Sequence, residues 1–90
     1  MFKENLNTAV FTTKFVIEEN SPILFVFHYD DGSWQFSGTE ENLSDEDYRI
    51  VSLQEMIEHD KSIHELGDMP INSQASRSNS KSPWKIINKN

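Results

Sequence analysis

The chain has no cysteine among its 90 residues. That absence excludes disulfides, a thiol nucleophile and any thiolate-held zinc or iron–sulfur centre, and it fits a reducing compartment. Glycine is almost as scarce. Gly32, Gly38 and Gly67 are the whole set, so no glycine-rich phosphate loop can be built. The serines lie in no G-x-S-x-G elbow. Positive charge is in short supply: Lys and Arg total 8 against 15 Asp and Glu, a formal net charge of −7. The basic face that neutralises phosphates is therefore missing, which argues against nucleic acid and against an anionic membrane surface. Long apolar runs are missing too. The longest, Ile23 to Phe27, falls far short of the roughly 20 residues that span a bilayer. The opening segment, residues 1–7, lacks the apolar stretch of a signal peptide. The expectation is a soluble cytoplasmic protein.

What is present suffices for one domain. A chain of this length buries roughly 60–70% of its unfolded surface, enough for a modest core and no large internal cleft. Residues 8–17 are rich in β-branched and aromatic side chains and read as a strand with Phe11, Thr13, Phe15 and Ile17 on its core face. A turn follows at 18–22. The near-continuous apolar run of 23–29 predicts a central strand buried on both faces. Asp30-Asp31-Gly32-Ser33 carries the Asp-Gly hairpin signal and leads into Trp34-Gln35-Phe36.

The stretch 38–48 is polar, acidic and without period, hence loop. A short strand is expected at 49–51. Ser52-Leu53-Gln54-Glu55 is a capping box opening a helix with Leu53, Met56 and Ile57 as its apolar stripe. Residues 60–66 restart as a helical turn before Gly67 and Pro70. Residues 72–83 are Ser/Asn-rich and read as a loop or flexible segment, and 84–88 return as an edge strand or dock on the core. The fold class expected is α+β: one domain over 1–90 with its core at 8–71, built as a small, mainly antiparallel sheet of three to five strands. One principal helix packs on one face, and the basic C-terminal segment is mobile.

No catalytic constellation emerges. His28 closes a strand, and His59 and His64 are five apart, so they do not share a helical face. Asp60 and His64 could meet at a spacing of four, yet two ligands without a third make no metal site. The acids of Asp30-Asp31-Gly32, of 40–42 and of 45–47 do not follow the calcium-loop pattern. No enzyme activity, cofactor or metal is expected. Charge distribution is the sharpest signal. Residues 28–68 hold twelve acids against Arg49 and Lys61, a net −10, whereas 69–90 carry Arg77, Lys81, Lys85 and Lys89 and no acid. An acidic surface of this kind steers toward a basic partner.

The order Thr13-Lys14, Ile23, Asp31-Gly32-Ser33-Trp34-x-Phe36-x-Gly38-x-Glu40, Ile50-x-Ser52-Leu53, Asp60-x-x-Ile63-x-x-Leu66, Pro70, Arg77 resembles a family of small bacterial proteins. That family was first described as a domain of unknown function and then predicted to be immunity proteins of polymorphic toxin systems (immunity protein 33-like). The likeness spans roughly residues 9–84, and Gly-Ser-Trp-x-Phe-x-Gly-x-Glu is its most specific piece. It implies an α+β domain that binds and neutralises a cognate toxin without catalytic residues of its own.

The resulting expectation is a non-enzymatic binding protein, monomer or homodimer, whose acidic face occludes a basic toxin domain. Asp30, Asp31, Glu40, Glu41, Asp45, Glu46 and Asp47 are its expected contacts, with Trp34 and Phe36 as an aromatic platform and Arg77 and Trp84 as secondary candidates. The alternative is an accessory or small-ligand-binding module with Trp34, Phe36 and Trp84 lining a shallow groove. The competing and favoured expectation is that one or both of the Trp34 and Phe36 rings fill the core under the helix, because the sheet needs a cover.

Overall fold

The computed structural model describes residues 2–88. The fold is α+β, and it departs from expectation from its first strand. β1 spans Ala9–Thr13 and stops there because Thr13 caps a helix, its Oγ1 accepting from the Val16 N–H at 3.3 Å. Helix α1 (Lys14–Glu19) ends at Asn20, which takes the left-handed conformation at φ 57°. The inward residues of β1 are thus Val10 and Thr12, both fully buried, while Phe11 faces out and is 39% exposed. The expected face of Phe11, Thr13, Phe15 and Ile17 does not exist, because Phe15 and Ile17 belong to the helix.

β2 (Phe25–His28) and β3 (Trp34–Ser37) form the expected hairpin. Its turn places Gly32 at φ +89°, a conformation that disfavours any side chain. β2 is central, as expected, but only one of its faces is buried. Val26 and His28 point inward, and Phe25 is 37% exposed on the other side. β4 (Tyr48–Ser52) pairs along all five residues of β1, and a short 3-10 turn at Asp45–Asp47 precedes it. Helix α2 (Leu53–His59) starts where the capping box placed it, with the Ser52 hydroxyl accepting from Glu55 N–H at 3.1 Å. Its free N–H groups at Leu53 and Gln54 donate to the carbonyls of Thr8 and Leu6. Leu53, Met56 and Ile57 are buried as the spacing required, and a 3-10 helix over Lys61–Leu66 adds Ile63 and Leu66.

The largest correction lies in the C-terminal quarter. Within the expected loop of 72–83, Ser73–Ser76 forms β5, paired with β2 along four residues. Lys85–Asn88 forms β6, the edge strand expected at 84–88. Lys89 lies outside the described residues. The sheet has six strands in the order β4-β1-β3-β2-β5-β6, so it exceeds the three to five expected. It is also mixed, because β1 runs parallel to β3. That parallel contact has a single registered pair, Phe11 with Gln35, and the buried Thr12 hydroxyl supplements it by donating to the Phe36 carbonyl at 2.8 Å.

Helices α1 and α2 and the 3-10 helix at Lys61–Leu66 cover one face of this sheet. Val16 of α1, the α2 stripe, and Ile63 and Leu66 pack with Val10, Val26, Trp34, Phe36 and Ala75 into a single core. Among the described residues no helix lies over the opposite face.

Candidate functional site

The register assigns every residue of the uncovered face. Directly paired residues in neighbouring strands point the same way, so Ile50, Phe11, Gln35, Phe27, Gln74 and Ile87 form one row across the six strands. A second row, nearer the ends of β2 and β3, holds Tyr48, Ser37, Phe25, Ser76 and Lys85. Tyr29 extends the surface beyond Phe27. Its ring stacks on Phe27 with centroids 6.0 Å apart, and its hydroxyl donates to Gln35 Oε1 at 2.9 Å. Burial raises the Tyr29 phenol above its ordinary value, helped by Tyr48 and Asp31. Ile50 is 67% and Ile87 52% exposed, so apolar side chains meet solvent at both margins.

Six strands about 4.8 Å apart and four residues deep give this face a footprint on the order of 300 Å². Its apolar part, Ile50, Phe11, Phe27, Ile87, Phe25 and Tyr48, is interleaved with Gln35, Gln74, Ser37, Ser76 and Lys85, and the largest such patch on a small protein is often functional. A groove of ≈ 480 Å³ crosses it, walled by Tyr48 on one side and Phe25 and Phe27 on the other. Gln35 and Ser37 of β3 make its floor, and the loop 38–43 closes one end with Glu40 and Glu41.

The expected site residues divide sharply. Trp34 and Phe36 are 1% and 0% exposed, so they are core residues and offer no platform to a partner. Trp34 is held from every side: its ring stacks on His28 at 3.8 Å, Phe2 meets it edge-on at 5.0 Å, and its Nε1–H donates to Glu4 Oε2 at 2.7 Å. His28 Nδ1 sits 2.9 Å from the Met69 carbonyl, which can only accept, so that nitrogen carries the proton. Arg77 is also buried, its side chain 1% exposed and paired with Asp60, and it is no surface contact either. Trp84 lies over its guanidinium at 4.1 Å, half-buried against the core. These residues hold the β5–β6 segment in place.

The acids do not form one face. Asp30 and Asp31 sit at the hairpin tip, whereas 40–47 lie at the opposite end, beside Ser37 and Tyr48. The length of β3 separates the two groups by about 10 Å or more. Asp31 is occupied locally: it accepts from the Ser33 hydroxyl and N–H, and these bonds hold its carboxyl below the usual range. Asp47 accepts from Ser44 N–H and pairs with Lys14 at 3.1 Å, with the same consequence. Glu40 is bound at Oε2 by the Ser21 hydroxyl at 2.9 Å, while its Oε1 is buried without a partner among the described residues. Asp30, Glu41, Asp45 and Glu46 are exposed.

The aromatic surface itself was missed by the sequence reading. Alternation within 9–12, 25–28 and 48–52 marks two faces but not which one is covered, since both carry large apolar side chains. Among the described residues no group of three His, Asp or Glu is arranged to hold a metal ion, and no helix is long and apolar enough to cross a membrane. Comparison with family models, with curated proteins and with solved structures returns no match for this chain.

Proposed function

We propose that this protein is a non-enzymatic binding domain of the immunity type, which receives a basic protein partner on its open sheet face. The observation that carries the reading is the uncovered six-stranded surface with Phe11, Phe25, Tyr48 and Ile50 exposed on it. The acid-rich 40–47 segment beside that surface supplies charge of one sign where a docking partner would make first contact. Apolar area gives such an interface its affinity, and complementary charge speeds association and fixes register. A second copy of the chain carries the same net charge of −7 and would be repelled overall, which favours a basic partner instead. Toxin neutralisation is supported by the resemblance carried by the Gly32–Glu40 segment. The small-ligand reading loses two of its three wall residues, Trp34 and Phe36, to the core.

The test is co-expression with the product of the adjacent gene from the native host, in cells whose growth that product arrests. Growth rescue that is lost on Ile50→Lys, with the variant still folded, supports the proposal. Failure to restore growth, or rescue indifferent to a charge at Ile50, overturns it.

A further inference from the structure

We propose that the groove between Tyr48 and the Phe25–Phe27 pair is a receptor for one arginine side chain of a basic protein, an inference that rests on the open-face reading above. Three strand spacings separate β4 from β2, so the aromatic walls stand on backbones about 14 Å apart. The floor between them is low, because Gln35 and Ser37 bond to each other at 2.9 Å and lie along β3. A planar cation entering this channel has Tyr48 on one side, Phe25 and Phe27 on the other, and the Glu40–Glu41 end ahead. Among the described residues no Lys, Arg or His lines the groove to neutralise the two carboxylates.

Glu40 is fixed in place by Ser21, and its second oxygen lies against Gly38, where an added Cβ would come within 2.8 Å. Glu41 is exposed and free to close on the ligand. Guanidinium suits this setting better than ammonium. It is more weakly hydrated, stacks on aromatic faces, and presents a rigid fork of donors to carboxylates. A second copy of this chain is a poor source of the group. Its two arginines are both engaged, Arg77 in the buried pair with Asp60 and Arg49 with Glu18 at 3.0 Å.

The experiment is amide chemical-shift titration of the labelled protein with a short Gly/Ser peptide holding one arginine. Identical peptides with lysine or citrulline in its place serve as comparisons. The arginine peptide is expected to shift Phe27, Gly38, Glu41 and Tyr48, and the other two to bind at least about tenfold more weakly. Glu41→Gln is expected to weaken the arginine peptide by about tenfold, and Asp30→Asn at the far end to leave it unchanged. Equal binding of the citrulline or lysine peptide, shifts centred on the hairpin tip, or indifference to Glu41→Gln would overturn the inference. A basic partner that still needs Ile50, together with an inert arginine peptide, overturns the groove alone. Loss of the Ile50 requirement removes the open-face reading.

Discussion

The Arg77 guanidinium meets the Asp60 carboxylate at 2.5 Å with its own side chain 1% exposed. Three more bonds hold it: Nε donates to the Ile23 carbonyl at 3.0 Å, and Nη1 to the Ser62 hydroxyl at 2.9 Å and the Ser80 carbonyl at 3.3 Å. Trp84 covers the planar group at 4.1 Å and donates to the same Ser62 hydroxyl. One arginine thus ties together the loop before β2, the 3-10 helix and the segment joining β5 to β6. Removing one partner of a buried pair strands the other's charge, at about 3–5 kcal/mol when the site is fully enclosed. Asp60 keeps 21% of its side chain exposed, so Asp60→Ala is expected to cost somewhat less, about 2–3 kcal/mol. Arg77→Lys is expected to destabilise too, because an ammonium cannot reproduce the fork. Urea unfolding checks both, and hydrogen exchange in β5 and β6 should accelerate before exchange in β1 does.

The same pair sets an acid limit on stability. Burial alone would raise the Asp60 carboxyl, but the Ser62 hydroxyl and N–H and the Arg77 guanidinium outweigh it and hold it below the ordinary 3.8. A carboxylate with a depressed folded-state value stabilises fully above its unfolded value and loses that contribution as pH falls through the folded one. Asp31 and Asp47 are shifted in the same direction. Stability is therefore expected to hold from neutrality to about pH 5 and to decline below it. Asp60→Asn should flatten the decline, and its deficit against the wild type should shrink toward pH 2. A deficit constant across that range would contradict the account.

Gly38→Ala probes the closed end of the groove. The glycine does not need a positive φ, so the effect is one of space: the new methyl would lie 2.8 Å from Glu40 Oε1 and 3.1 Å from the Pro22 carbonyl. The side chain of Glu40 can swing away, but the backbone oxygen cannot. The expected result is a loss of about 1–2 kcal/mol from overpacking, together with release of Glu40 from Ser21. Unfolding midpoints and the side-chain carboxyl shift of Glu40 measure the two effects separately.

Local chemistry was what the sequence displayed most clearly. The hairpin was legible because Asp31, Gly32 and Ser33 settle it among themselves. Helix α2 was legible because Ser52 and the Leu53-Met56-Ile57 stripe agree. The α1 boundary was not. Phe-Val-Ile favours a strand by composition, and the caps at Thr13 and Asn20 reversed that preference over only six residues. β5 gave no signal because Ser-Gln-Ala-Ser has no strand propensity of its own. It is held by its ladder to β2, and its inward Ser73 and Ala75 are small beside the bulk of Trp34 and Phe36. Most of the residues carrying the resemblance turn out to be structural: Trp34, Phe36, Ile63 and Leu66 in the core, Thr13 and Ser52 as caps, Asp60 and Arg77 as a pair. Gly38, Glu40 and Ile50 of the motif do belong to the open face and its groove, whereas Phe11, Phe25, Phe27, Glu41 and Tyr48 lie outside it.

Charge placed on the open face should separate folding from binding. Ile50 is 67% exposed beside Phe11 on the outermost pair of strands, and Val10 is fully buried one residue away. Ile50→Lys leaves a long side chain free to reach water from an edge strand, so its effect on stability is expected within about 0.5 kcal/mol. A comparable change on the other face, Val10→Lys, buries an unpaired ammonium in the core and should prevent folding. The same parity predicts that Phe11→Ser still folds, at the cost of its partial burial against Ile50 and Gln35, about 1–2 kcal/mol. If Ile50→Lys or Phe11→Ser proves as disruptive as Val10→Lys, the outward face is covered within the protein itself. If both fold normally, an aromatic face that contributes little to stability is available for a partner, and a lysine at position 50 then opposes a basic one by charge as well as by shape.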